Sequence, residues 1–326
     1  MLMQKRIIIM AFALLSFAIT NSISKECNIN DRRRVTCHCD GNQEFCLPKE
    51  KHYMNATSLS LSSCLTANLL HTAFMESDWI EEFVVKNISE MLNLDTSFHS
   101  TQLKRFELTN IQQMPYIKHD TFLNLENIEH FEMRNVHVDY FEEQFVEIKV
   151  DQFVMANVTI SNMKGFNFSK KGETLQIIDC EFRNVSTILN FGQFSKVEIV
   201  NSKFELQEPG NLMIESDIAI VSDNIFFNVS INIVAVNNVK INNICADGKS
   251  SLRLSSDKIE SFNNKLPTDI IYSKGQTSDD VLKNNNTICK AGDCKCPKSN
   301  GQNANRPITI VFFFQIILFL ITCMNI

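Results

Sequence analysis

Short bursts of alternating apolar and polar residues run along the middle of the chain, and most of them end on Asn or Asp. The unit is apolar-x-apolar-x-Asn-apolar. It reads Phe83-Val-Val-Lys-Asn87-Ile88, Phe106-Glu-Leu-Thr-Asn110-Ile111, Phe131-Glu-Met-Arg-Asn135-Val136 and Phe153-Val-Met-Ala-Asn157-Val158. It continues as Leu175-Gln-Ile-Ile-Asp179-Cys180, Val197-Glu-Ile-Val-Asn201-Ser202 and Val239-Lys-Ile-Asn-Asn243-Ile244, with weaker copies from Leu59, Ile218 and Ile259. The first apolar positions are spaced 24, 23, 25, 22, 22, 22, 21, 21 and 20 residues apart. Alternation over four residues predicts a short strand with one buried face. Asn just after it suits a turn, because it bonds nearby backbone and tolerates the left-handed region. One such unit cannot bury its own apolar side, so the units must stack into a solenoid. An apolar residue three before the strand recurs at Ile80, Leu103, Ile128, Val150, Phe194 and Val236.

The unit Ile111-Gln-Gln-Met114-Pro115 through Thr121-Phe122-Leu-Asn-Leu125-Glu-Asn-Ile128-Glu-His-Phe131-Glu-Met133 carries a proline after the first turn, a Phe, then L-x-x-L-x-L. In this it resembles the extracellular leucine-rich-repeat family, well over 80–160 and more loosely over the rest of 55–265. Ahead of the repeats, Cys27-x9-Cys37-x-Cys39-x6-Cys46 is similar to that family's N-terminal cysteine cap. The resemblance implies bridges Cys27–Cys39 and Cys37–Cys46, with a zinc site using His38 as the alternative use of these cysteines. It also implies a ligand-binding concave face. The chain departs from the family in placing Asn four residues after the strand start instead of five, and in its shrinking later units. The expected fold is therefore an α/β-type or mostly β solenoid, a divergent leucine-rich-repeat horseshoe of about ten repeats. A right-handed parallel β-helix is the alternative, especially for the second half.

The ends have a different character. Lys5 and Arg6 precede an apolar run over 7–19, and Ser22 and Ser24 suit a cleavage before Lys25, which reads as a secretory signal. A second apolar run covers 308–326 with no Lys or Arg after it. Small residues around Ser299, a polar spacer and an apolar tail match a GPI-attachment signal at Ser299, with a retained transmembrane helix as the alternative. The expected organisation is a signal peptide over 1–24, a cysteine cap over 25–52 and the solenoid over 53–266. A C-terminal cap and stalk follow over 267–299, then the anchor signal over 300–326. The implied location is the extracellular face of the cell membrane.

Charge and cysteine content sharpen this. Setting aside 1–24 and 300–326 removes Lys5, Arg6 and Arg306 and no acid, which takes the formal charge from −6 to −9. Such a chain repels the phosphates of nucleic acid and anionic lipid. Of eleven cysteines, only Cys323 lies in the tail, leaving ten for an oxidising compartment. Cys245, Cys289, Cys294 and Cys296 are assigned to a C-terminal cap. Cys64 and Cys180 occupy equivalent places five repeats apart, roughly 24 Å on stacked strands, too far to pair with each other; both are expected as buried thiols. N-glycosylation sequons begin at Asn55, Asn87, Asn157, Asn167, Asn184, Asn228 and Asn285.

No cofactor or metal is expected, and catalysis is disfavoured. The seven histidines make no H-E-x-x-H, there is no G-x-S-x-G, and nine glycines leave little for phosphate-cradling loops. His130 with Glu132 is the nearest approach to an acid/base pair. The candidate ligand face lies on outward strand positions: Glu82, Lys86, Arg105, Glu107, His130, Glu132 and Arg134 early, then Val154, Ala156, Ile178, Val200, Ala219 and Val221. A charged zone beside an apolar one predicts a recognition or adhesion surface for an extracellular protein or glycoprotein, with no cytoplasmic signalling domain. A surface or matrix spacer without a ligand is the alternative, and a solenoid carbohydrate-active enzyme a weaker one.

Overall fold

The computed structural model describes residues 27–30, 33–46, 56–70, 80–95, 98, 103–123, 125–266, 270–272, 285–289 and 294–297. The signal-like segment, Asn55, Ser299, the apolar tail and the side chain of Cys46 lie outside them. The repeat positions pair with one another turn upon turn. Leu59 is followed in parallel register by Phe83, Phe106, Phe131, Phe153, Leu175, Val197, Ala219, Val239 and Ile259. The chain is thus a mostly-β solenoid of about ten turns. Its one helical element among the described residues is a three-residue 3-10 turn, His119–Thr121.

Two more lines of parallel pairing run beside the first. One follows Val138, Ile160, Phe182, Phe204, Phe226 and Ala246. The other starts from the parallel bridge of Gln144 to Phe166 and passes through Leu189, Leu212, Ile231, Leu252 and Ile270. In the first turns, Phe45, Ala67 and Leu92 form a separate three-stranded sheet. The long strands Arg105–Ile117, Asn127–Phe141 and Lys149–Met163 turn a corner at Asn110, Asn135 and Asn157. All ten corner residues from Ser63 to Asn263 have φ between 48° and 61°. Asn and Asp enter that left-handed region at lower cost than other side chains, which is why they recur there.

The eighth turn begins at Ala219, one residue later than hydropathy suggested. A strand alternates faces at every residue, so this shift exchanges inside for outside. Ala219 and Val221 are core, while Ile218 points out and is 37% exposed. Ala219 and Val221 therefore leave the candidate face, and Ile218 and Ile220 join it. Val236 is likewise not core but 60% exposed. The register shifts where Ser216 and Ile218 face Ala235 and Asn238, and the additional residue turns Val236 outward.

Inside, two files of Phe rings interlock. Phe83, Phe106, Phe131 and Phe153 stack with centroids 5.3, 5.0 and 4.9 Å apart. Phe98, Phe122, Phe145 and Phe168 stack beside them at 5.9, 5.7 and 4.9 Å. Rings of one file meet the other edge-on, as in Phe106–Phe122 at 5.0 Å and Phe131–Phe145 at 5.2 Å, the geometry aromatic quadrupoles favour. Gly172 is needed below Phe194: a Cβ there would lie 2.2 Å from the Val150 carbonyl oxygen and 2.5 Å from the ring. Later turns place polar groups in this interior, and Ser202, Asn224 and Asn264 each have a backbone partner. Ser202 Oγ accepts from the Cys180 N–H, Asn224 Oδ1 from Ser202 and Asn264 Oδ1 from Ile244, at 3.0, 2.8 and 2.9 Å. Without such bonds, buried polar atoms would be costly.

The disulfides correct the pairing implied by the family cap. Cys27–Ile29 folds back antiparallel on Arg34–His38, which sets Cys27 directly across from Cys37, and these two bond with Cα atoms 4.1 Å apart. Cys39 then reaches the next turn and bonds Cys64, with Cα atoms 4.8 Å apart. Neither Cys27–Cys39 nor Cys37–Cys46 forms, and Cys64 is not a free thiol. At the other end, Cys245 bonds Cys296 and Cys289 bonds Cys294. Cys180 is free and buried, and burial pushes its thiol up to about 12, so it stays protonated and inert. Several disulfides fit an oxidising, extracellular compartment. Among the described residues no helix is long and apolar enough to cross a membrane.

Candidate recognition face

The outward side chains of the first pairing line form one face, and its charged part is ordered in a specific way. Two successive strands place a glutamate between basic side chains, because alternate residues share a face and stacked turns are about 4.8 Å apart. Glu107 receives Lys86 from the preceding turn at 2.6 Å and Arg105 from its own strand. Glu132 receives His130 at 2.9 Å and Arg134 at 2.7 Å, and His130 also meets Gln152 at 3.2 Å. Glu198 carries one basic partner, Lys196 at 3.0 Å, and a neutral amide, Gln176 at 3.3 Å.

The two signs differ in depth. The side chains of Glu107 and Glu132 are 6% and 16% exposed, against 48% for Arg105 and 46% for Arg134. Carboxylates lie recessed while the longer cationic side chains carry their heads outward. An acidic protein thus presents guanidinium and ammonium groups on this part of its surface. Burial alone would raise the Glu107 carboxyl, but hydrogen bonds from Lys86 and Arg105 outweigh it and hold the group below its ordinary value. Glu132 is held low in the same way by His130 and Arg134, again against burial.

These depressed carboxyls contribute stability above the usual carboxylate range, and that contribution is lost as pH falls through their folded-state values. The urea midpoint is therefore expected to drop on acidification below about pH 5. Glu107→Gln should flatten part of that drop, measured by urea titration across pH. A midpoint curve unchanged in shape would contradict the assigned role.

Beyond Gln152 an apolar stripe runs beside Gln176 and the Lys196–Glu198 pair. Val154, Ile178 and Val200 are half-buried, Ala156 is buried, and with the corrected register Ile218 and Ile220 extend the stripe. The fold thus brings Lys86, Arg105, Glu107, His130, Glu132, Arg134, Val154, Ile178 and Val200 onto one face, charged residues first and apolar ones after. His130 and Glu132 do touch, but both are engaged with further partners in a surface ion network. The recessed position of the glutamates and the partner Gln152 have no counterpart in the sequence pattern. Ile218 and Ile220 do: counting back four residues from Asp223 would have set the register.

A solenoid with a face of this kind defines a class by shape alone. No family model, no curated protein and no solved structure matches the chain.

Proposed function

We propose that this is a secreted, cell-surface recognition solenoid that binds an acidic extracellular protein or glycoprotein across the first-line face. The observation that carries this reading is the projection of Arg105 and Arg134 above recessed Glu107 and Glu132, beside an apolar stripe. Arginine heads next to apolar area are the usual anchors of protein interfaces. The disulfides support the extracellular placement. The apolar run over 308–326 is the proposed membrane tether, with GPI attachment at Ser299. On the finer fold, we infer a parallel β-helix for the later turns, supported by the third pairing line that runs from Phe166 onward. The leucine-rich-repeat likeness is retained for the turns over 80–160.

Phospholipase release from intact cells would supply the soluble protein for a cell-binding assay. Arg105→Ala combined with Arg134→Ala is expected to weaken binding roughly tenfold or more and to lower the melting temperature without unfolding the chain, because recessed Glu107 and Glu132 each keep one other basic partner. Undiminished binding by a folded double variant would favour a spacer without a ligand at this face.

A further inference from the structure

The corner between the first and second pairing lines is built from side-chain amides bonded to one another along the solenoid axis. Asn110 Nδ2 donates to Asn87 Oδ1 at 2.8 Å, Asn135 to Asn110 at 2.7 Å and Asn157 to Asn135 at 2.9 Å. The run stops at Asp179, which has no amide hydrogen to donate. It restarts with Asn201 on Asp179 at 2.6 Å, Asn243 on Asp223 at 2.9 Å and Asn285 on Asn263 at 2.9 Å. An Asn amide carries two hydrogens, and the ladder engages one.

Three sequons lie on this corner, at Asn87, Asn157 and Asn285, and all three residues are exposed. The other described sequons are placed differently. Asn167 and Asn228 are half-buried, with Nδ2 on Glu143 Oε1 at 3.4 Å and on the Leu206 carbonyl at 3.1 Å. Asn184 is exposed, but its amide faces two acceptors, the Ser161 carbonyl at 3.2 Å and Asn162 Oδ1 at 3.3 Å. Only the corner sites combine exposure with an amide hydrogen to spare. Between Asn87 and Asn157, the ladder residues Asn110 and Asn135 lack the hydroxyl residue two places on. The two acceptor sites are thus three turns apart, about 14 Å, which leaves room for two glycans side by side.

We propose that this corner is a glycosylated edge, with N-linked glycans on Asn87, Asn157 and Asn285 attached through the hydrogen the ladder leaves over. The amide nitrogen forms a bond to the anomeric carbon of a diphosphate-linked oligosaccharide donor. The diphosphate leaves with the electrons of the broken bond, and the amide gives up one proton and keeps the other for its neighbour. Modification and ladder therefore coexist. The glycans fence one long side of the recognition face, and the Arg105 and Arg134 turns lie in the gap between the first two. This rests on the secreted reading of the chain and on no particular ligand.

The full chain, secreted from eukaryotic cells that make only high-mannose glycans, would be mapped by glycopeptide mass spectrometry and melted after two enzymatic treatments. Sugar is expected at Asn87, Asn157 and Asn285. Endoglycosidase H leaves one sugar on the amide and should leave the melting temperature unchanged. Peptide N-glycosidase converts each modified Asn to Asp, removes the Asn157 and Asn285 donors and should lower melting by about 2–4 °C. Thr159→Ala, which blocks the glycan but keeps the Asn157 amide, should melt like the parent. Corner sites empty in secreted protein, or equal melting after the two treatments, would overturn the proposal alone. A chain that never enters the secretory pathway would overturn it together with the secreted reading.

Discussion

Phe131→Ala is expected to destabilise the solenoid by about 3–5 kcal/mol, the range for deleting a fully buried aromatic ring. Phe131 sits where both files of rings converge. It stacks on Phe106 and Phe153 at 5.0 and 4.9 Å and meets the edges of Phe122 and Phe145 at 5.8 and 5.2 Å. Removing it leaves a hole that parallel strands pinned on both sides cannot close by shifting. Because neighbouring turns share the file, the loss should spread to the Phe106 and Phe153 turns before it reaches the caps. Equilibrium urea unfolding followed by hydrogen exchange would show both the size and the spread. A cost under about 1 kcal/mol would mean that the files are not a packed core.

The second large effect is expected at the C-terminal end. Cys245→Ser with Cys296→Ser opens a bridge between residues 51 apart in sequence, for which loop entropy alone gives about 4 kcal/mol. In a stacked solenoid that loss stays local, since each turn contacts only its neighbours. Hydrogen exchange should rise over the strands Ser251–Ser255 and Lys258–Phe262 and stay unchanged over Glu82–Ile88. Uniformly faster exchange along the whole chain would argue against turn-by-turn stability.

Much of this architecture is legible in the sequence because Asn or Asp marks the corner of every described turn after the first, which has Ser63. Asn and Asp at 87, 110, 135, 157, 179, 201, 223, 243 and 263 all take positive φ, and their spacing alone sets the register. Hydropathy was the poorer guide at the eighth turn, where Ile218, Ala219, Ile220 and Val221 are all apolar and alternation carries no information. The second file of rings, Phe98, Phe122, Phe145 and Phe168, is also regularly spaced. It falls in segments that do not alternate, so strand patterns pass over it. The sequence carries a cap pairing only through the family resemblance, and cysteine spacing does not reveal that the first strand folds back. Here a hairpin sets Cys27 across from Cys37. Least legible is the depth of charge on the recognition face. Glu107 and Arg105 are both simply outward in a strand pattern, and only side-chain length and mutual bonding decide that the carboxylate sits below the guanidinium.

The Cys245–Cys296 bridge also sets where the molecule would bear a pull. Tension applied to the chain beyond Cys296 crosses the sulfur–sulfur bond to the Cys245 strand instead of following the backbone through 246–295. The last two turns, which carry Lys265 and Thr287, then hang outside the load path, and force enters the stack at the Cys245 strand, which is held on both sides. Reducing that single bond would reroute the load through the terminal turn, which would peel away first.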